Sequence, residues 1–243
     1  MPISTYPPGA RDLQESRIDW SLFAQSGKVT LRSRKTLRPD QQEALEAVEK
    51  GLDAADRGKL IMACGTGKTF TSLRIAEHLA GQGKRVLFMV PSLALMSQTV
   101  TEWSQDAEVE LRSFAVCSDA HVGKRKRSDD VADLQQHDLT FPATTRANAL
   151  AREASPDAPD AMTVVFATYQ SIQAVSDAQG HGLPEFDLII CDEAHRTTGV
   201  TLAGEDESNF VRIHDNVHVA GRKRLYMTAT PRIYGEQARS KAD

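Results

Sequence analysis

Two short strings in this 243-residue sequence combine residue types that can do chemistry together: Gly65-Thr66-Gly67-Lys68-Thr69 and Asp192-Glu193. Glycines let a backbone curl until successive amides face one point, and a helix N-terminus behind them adds partial positive charge. In such a cradle Lys68 reaches the β- and γ-phosphates of a nucleotide, and the Thr69 hydroxyl ligates magnesium. The adjacent acids supply what the cradle lacks. Asp192 holds the metal, usually through water, and Glu193 orients and deprotonates an attacking water. Together they imply phosphoryl transfer from Mg-ATP to water.

Both strings need elements that aim them. The first follows the apolar run 59–64 (KLIMAC) and precedes a helical pattern through Ser72, Leu73, Ile75, Ala76 and Leu79. Strand, glycine-rich turn and helix beginning at Lys-Thr is the context that a phosphate-binding loop requires. The second follows the run DLIIC, so the acids emerge at the carboxyl end of a buried strand, where ligands bind in open α/β sheets. Further short apolar runs, RVLFMV (85–90), LRSFAVC (111–117), TVVFAT (163–168) and RLYMT (224–228), alternate with helical stretches. Continuous apolar strands separated by helices indicate a mainly parallel sheet covered on both faces, hence an α/β fold. The loop strand and the acidic strand are expected to be neighbours. A chance glycine turn and a pair of surface acids are the alternatives, and the coexistence of both strings disfavours them.

Around this core the chain divides into an N-terminal arm (1–36), a main domain (37–243) and an insertion at about 118–162. The arm is rich in Pro, Ser and charge and carries a small apolar cluster, Ile18, Trp20, Leu22 and Phe23; it reads as a linker or docking arm. Trp20 or Phe23 could cover an adenine, although packing is the commoner use of such residues. From Pro39 a helix is expected, with Ala44, Leu45, Val48 and Leu52 on one face. The insertion is polar, helical near Arg146 to Arg152, and contains the basic run Lys124 to Arg127. With Asp129 and Asp130 beside it, solvated surface is favoured over a phosphate contact or a localisation signal.

A formal charge of −4, from 29 Lys and Arg against 33 Asp and Glu, does not advertise a nucleic-acid binder, so such contact must be local. The three cysteines, Cys64, Cys117 and Cys191, lie in or at the end of apolar segments without zinc spacing and read as reduced core residues. No apolar run is long enough to span a bilayer and the N-terminus lacks a signal pattern; a soluble cytoplasmic protein with no membrane partner is expected.

The motifs then become specific. The loop has Met62 where the general pattern has glycine, and Ala63-Cys64-Gly65-Thr66-Gly67-Lys68-Thr69 resembles the loop of superfamily 2 helicases, whose ATP cradle starts at the alanine. Asp192-Glu193-Ala194-His195 resembles motif II of the DEAH-type members. Leu37-Arg38-Pro39-Asp40-Gln41 is similar to the family's glutamine-bearing entry, which implies that Gln41 reads the adenine edge. Pro91, Ser92 and Gln98 resemble motif Ia, and Thr168 falls where the family carries a strand-end backbone contact, so nucleic-acid contact is implied for these four. Thr228-Ala229-Thr230-Pro231 resembles motif III, implying that Thr228, Thr230 and His195 couple ATP state to nucleic-acid grip. Other readings stay open: Gln41 as a solvated helix residue, Ser92 and Gln98 as a helix cap and a surface position, Thr144 and Thr145 as caps, and Thr228 and Thr230 as plain β-formers.

The resemblance spans residues 37–234 and implies the first RecA-like lobe of an ATP hydrolase, a P-loop three-layer sandwich using ATP and Mg2+. Within the family, residues 59–77, Pro142 to Thr145 and Thr228 to Tyr234 look most like the translocase part of restriction enzymes, especially the single-chain type I-like (type ISP) group and types I and III. That implies a DNA-dependent ATPase acting on double-stranded DNA in a restriction or phage-defence setting. It also implies nuclease and methyltransferase modules and a second RecA-like lobe with arginines that stabilise γ-phosphate charge. The tail from Gly235 to Asp243 holds no such lobe, so a longer parent protein is expected. The alternative is an isolated nucleotide-binding module with little turnover that docks to another subunit.

Overall fold

The computed structural model describes residues 18, 20–30, 34–117, 143–144, 146–194 and 212–229. Helix α1 (Trp20–Ser26) belongs to the arm, and it leaves Leu22 and Phe23 exposed rather than in the core. Helix α2 (Pro39–Ala54) starts with proline at its first turn, where a missing N–H costs nothing, and buries Gln41, Leu45, Val48 and Leu52 on one stripe. Strand β1 (Arg57–Ile61) leads to α3 (Lys68–Leu79), β2 (Arg85–Val90), α4 (Leu93–Asp106) and β3 (Glu110–Val116). Then follow β4 (Ala143–Thr144), α5 (Ala147–Ala154), β5 (Ala161–Thr168), a 3-10 turn at Tyr169–Ser171, α6 (Ile172–Gly180), β6 (Phe186–Cys191) and β7 (Gly221–Thr228).

The strands form one sheet in the order β1-β7-β6-β2-β5-β3-β4, and every adjacent pair is parallel. Parallel strands need crossovers, and the helices that provide them cover both faces. Along β2 the consequence is direct. Val86, Phe88 and Val90 pack into one apolar cluster with α2, α3 and α4, while Leu87 and Met89 pack into a second with α5 and α6. This is the expected α/β three-layer arrangement. The short β4 is an addition that periodicity does not reveal, since two residues are too few to show alternation.

The expected adjacency of the loop strand and the acidic strand does not hold. The loop strand β1 and the acidic strand β6 are not neighbours, because β7, the strand carrying Thr228, lies between them. Register then decides the site: Ile61 pairs with Thr228, Cys191 with Met89 and Tyr226, and Val90 with Thr168, so these strands end within two residues of one another.

Aromatic packing holds that end together. Phe88 and Trp103 meet edge to face at 5.1 Å, and Trp103 meets Phe166 at 5.5 Å. The fully buried Trp103 spends its indole N–H on the carbonyl of Thr69, 3.1 Å away, tethering the start of α3 to the core. The end of the arm is also docked: Lys35 pairs with Asp106 at 2.8 Å, and the buried Arg74 donates to the carbonyls of Lys35 and Asp106. No helix among the described residues is long and apolar enough to cross a membrane.

Candidate nucleotide site

The loop from Ala63 to Thr69 turns on two glycines in the left-handed region, Gly65 at φ +74° and Gly67 at φ +80°. Thr66 closes the first turn by donating its hydroxyl to the Ala63 carbonyl at 2.7 Å, and Met62 N–H extends the β1 pairing to the Thr228 carbonyl at 3.1 Å. Gly67 is the N-cap of α3 and accepts from Thr71 N–H at 3.0 Å. Loop amides and the α3 N-terminus therefore border the same turn, the arrangement that attracts phosphate oxygens.

The two glycines differ in what surrounds them. A Cβ on Gly67 would lie 2.5 Å from Gln41 Nε2, whereas one on Gly65 would meet nothing within 4 Å. Both alanine variants carry left-handed strain of about 1–2 kcal/mol, but only Gly67→Ala must also push Gln41 away. Thermal denaturation of the pair should show the larger fall in Tm for Gly67→Ala, and equal losses would contradict the close approach.

Gln41 is buried and faces the loop. Its Nε2 donates to the Thr66 carbonyl at 2.9 Å, and its Oε1 accepts the Arg38 backbone N–H at 3.0 Å. This replaces the solvated-helix reading with a bracket against the loop. Arg38 adds a second bond to the Thr66 carbonyl at 2.5 Å and is itself steadied by Asp40 at 3.2 Å.

Across the intervening strand the acids meet the loop. Lys68 Nζ lies 3.0 Å from Glu193 Oε1, with both side chains largely buried. Glu193 sits at φ +50°, the one non-glycine residue with positive φ among the described residues. Side chains resist that conformation, which survives where surroundings fix it. The fixing bonds converge on the Asp192–Glu193 peptide: Glu193 N–H donates to Asp192 Oδ1 at 2.9 Å, and the Tyr169 hydroxyl donates to the Asp192 carbonyl at 2.8 Å. Asp192 N–H is held by the Met89 carbonyl at 2.9 Å. Burial pushes the Asp192 carboxyl up; the Glu193 N–H opposes this, the Glu193 charge adds to it, and Lys68 opposes it. Two adjacent half-buried acids thus form a place where a cation is favoured.

The other expected residues fall as follows. Cys64 is exposed, correcting its assignment to the core: it lies in the turn that follows β1. Cys117 and Cys191 are buried, and burial pushes the Cys191 thiol up to about 12, which keeps it protonated and unreactive. Thr69 lies at the start of α3 beside Lys68, and Thr228 is buried at the end of β7. Ser92 caps α4, its Oγ accepting Leu95 N–H at 3.4 Å, and exposed Gln98 pairs with Glu102 at 2.9 Å. Pro91 is buried, and buried Thr168 shares a hydroxyl bond of 2.8 Å with Ser171. His195 and Thr230 lie outside the described residues, as do Thr145 and the basic run Lys124 to Arg127.

Sequence reasoning missed Arg38, Trp103 and the hydroxyl of Tyr169 as supports of the site. Arg38 occupies the N-cap of a helix beginning with proline, a legible position, whereas nothing in spacing marks Trp103 or Tyr169.

Comparison with known proteins agrees with this geometry. The ResIII family, described as type III restriction enzyme, res subunit, matches residues 34–233. A probable helicase of African swine fever virus, A859L, is 33% identical over 192 residues, covering 79% of this chain and 19% of the viral protein. Among solved structures, the ATP-dependent type ISP restriction-modification enzyme LlaBIII bound to DNA is 44% identical with a TM-score of 0.79, over 94% of this chain and 15% of that one. A nuclease-deletion mutant of the type ISP enzyme LlaGI with a DNA substrate mimic is 43% identical with a TM-score of 0.65, over 82% and 18%. The chain thus spans less than a fifth of the length of each of these relatives.

Proposed function

The chain belongs to the ResIII family, that of the type III restriction enzyme res subunit, and from this premise we propose that it is the ATP-hydrolysing first lobe of a motor driven along double-stranded DNA. It is the first RecA-like lobe of a superfamily 2 ATPase of the restriction-enzyme type, and nucleotide use comes with that family. The single observation that carries the proposal is the 3.0 Å contact of Lys68 and Glu193 across β7, which unites the glycine-rich loop with the acidic pair.

In the proposed mechanism Lys68 leaves Glu193 for the β- and γ-phosphates, and Ala63, Cys64, Gly65, Thr66 and Gly67 present the backbone around them. Gln41 has one amide proton and one lone pair left after its bonds to Thr66 and Arg38, a donor and acceptor suited to the adenine edge. Thr69 and Asp192 would hold Mg2+. When bound, the ion neutralises phosphate charge, and magnesium commonly takes one or two protein ligands with substrate phosphates and water filling the rest. The raised Asp192 carboxyl fits that role, because a cation offsets the cost of its burial. Glu193, released from Lys68, takes the proton from the attacking water. Pro91, Ser92, Gln98 and Thr168 lie at the ends of β2 and β5 or on α4, where a strand of DNA would pass; Thr228, Thr230 and His195 would couple that grip to the nucleotide.

The test is ATP hydrolysis by the complete protein with duplex DNA, single-stranded DNA and RNA. Duplex DNA should stimulate turnover most, and equal rates with and without all three would overturn the motor reading. The 243-residue chain alone should hydrolyse ATP barely above background, because arginines of a second lobe contribute about 10³-fold or more in such enzymes. Robust DNA-stimulated turnover by the chain alone would contradict the two-lobe requirement.

A further inference from the structure

Tyr169 is fully buried at the turn after β5, yet its hydroxyl reaches the backbone of another motif. It donates at 2.8 Å to the Asp192 carbonyl, which belongs to the peptide joining the two acids. The same peptide's N–H is bound at 2.9 Å by Asp192 Oδ1, and the next residue, Glu193, sits at φ +50°. A peptide plane fixed at its carbonyl and its N–H cannot rotate without breaking one of these bonds, and rotating it would swing the Glu193 side chain. Tyr169 stands next to Thr168, whose hydroxyl is tied to Ser171, and Thr168 is in register with Val90, just before Pro91. The residue that pins the acids therefore belongs to the segment expected to meet nucleic acid.

We propose that Tyr169 is a positioning residue that fixes the Asp192–Glu193 peptide and transmits displacement of the β5 end to the catalytic carboxylate. The assignment rests on Glu193 acting as the general base. It predicts that the hydroxyl matters for turnover and for DNA stimulation, not for binding. Side-chain misplacement of this kind commonly costs about tenfold or more in rate.

The experiment compares Tyr169→Phe, Tyr226→Phe and Glu193→Gln in the complete protein. Tyr226 is a second tyrosine beside Cys191, with its hydroxyl on His214 Nδ1 at 2.9 Å rather than on the acids, so it controls for loss of a hydroxyl. Phosphate release is measured against ATP concentration with and without linear duplex DNA, together with binding of a fluorescent ATP analogue and Tm. Tyr169→Phe should lower DNA-stimulated kcat about tenfold, with KM for ATP and analogue affinity within about twofold of wild type, while Tyr226→Phe keeps wild-type kcat. Wild-type stimulated kcat in Tyr169→Phe alongside an inactive Glu193→Gln would overturn the positioning role alone. An equal fall in Tyr226→Phe would overturn it too, by showing a general effect of hydroxyl loss. Wild-type turnover in Glu193→Gln would overturn the base assignment and the positioning role with it.

Discussion

Glu193→Gln in the complete protein is expected to bind Mg-ATP and DNA as well as wild type while hydrolysing ATP about 10²- to 10⁴-fold more slowly, the usual effect of removing a general base. The geometry explains why binding should survive. Glutamine keeps the length of the side chain, and its amide oxygen can still accept from Lys68 Nζ, now 3.0 Å from Glu193 Oε1. The main-chain bonds that hold residue 193 come from its own N–H and from the Asp192 carbonyl, and neither depends on the carboxylate. The charge of Glu193 also helps to push the Asp192 carboxyl up, so neutralising it favours an ionised, metal-competent Asp192. Titration with a fluorescent ATP analogue and magnesium, beside phosphate release, separates the two effects. Wild-type turnover, or loss of binding equal to loss of rate, would contradict the assignment.

How much of the fold and the site is legible in the sequence depends on the residue. Gly65, Gly67, Lys68, Asp192 and Glu193 were readable because the chemistry demands their types at short spacing, and their flanking strands announce themselves as unbroken apolar runs. Lateral strand order was not readable. It is set by long-range crossovers, and nothing in DLIIC or KLIMAC says that RLYMT is threaded between them. Polar side chains that turn inward were equally hidden. Gln41 is singled out by its motif, but nothing in the pattern of α2 shows that its amide turns inward to the Thr66 carbonyl of a loop 25 residues away. Cys64 misleads in the opposite sense: an apolar neighbourhood in sequence suggests burial, but the last pairing of this segment to β7 is that of Met62, and Cys64 lies beyond it in the exposed turn. Tyr169 combines both difficulties, since its ring is core and its hydroxyl is a support for a motif 23 residues on.

Lys68→Ala should abolish turnover and lower Mg-ATP affinity by about a hundredfold or more, since charge-assisted hydrogen bonds to phosphate are among the stronger polar contacts. Its second effect appears without nucleotide. Lys68 pairs with Glu193 and lowers the Asp192 carboxyl, so its removal leaves two half-buried acids without that cation. Asp192 already has a raised pKa in the fold, which means that the folded state prefers the protonated acid. Such a group costs no stability below its unfolded value, and the cost grows as pH rises from there through the folded pKa. Losing Lys68 raises the folded value further, so the penalty at neutral pH increases and vanishes in acid. The Tm deficit of Lys68→Ala relative to wild type should therefore widen as pH rises through the wild-type folded value of Asp192, which lies above the ordinary 3.8. Thermal scans across that range, with nucleotide binding measured at neutral pH, test both effects. Unchanged Mg-ATP affinity would refute the phosphate role of Lys68, and a Tm deficit that narrows with rising pH would refute its electrostatic support of the acids.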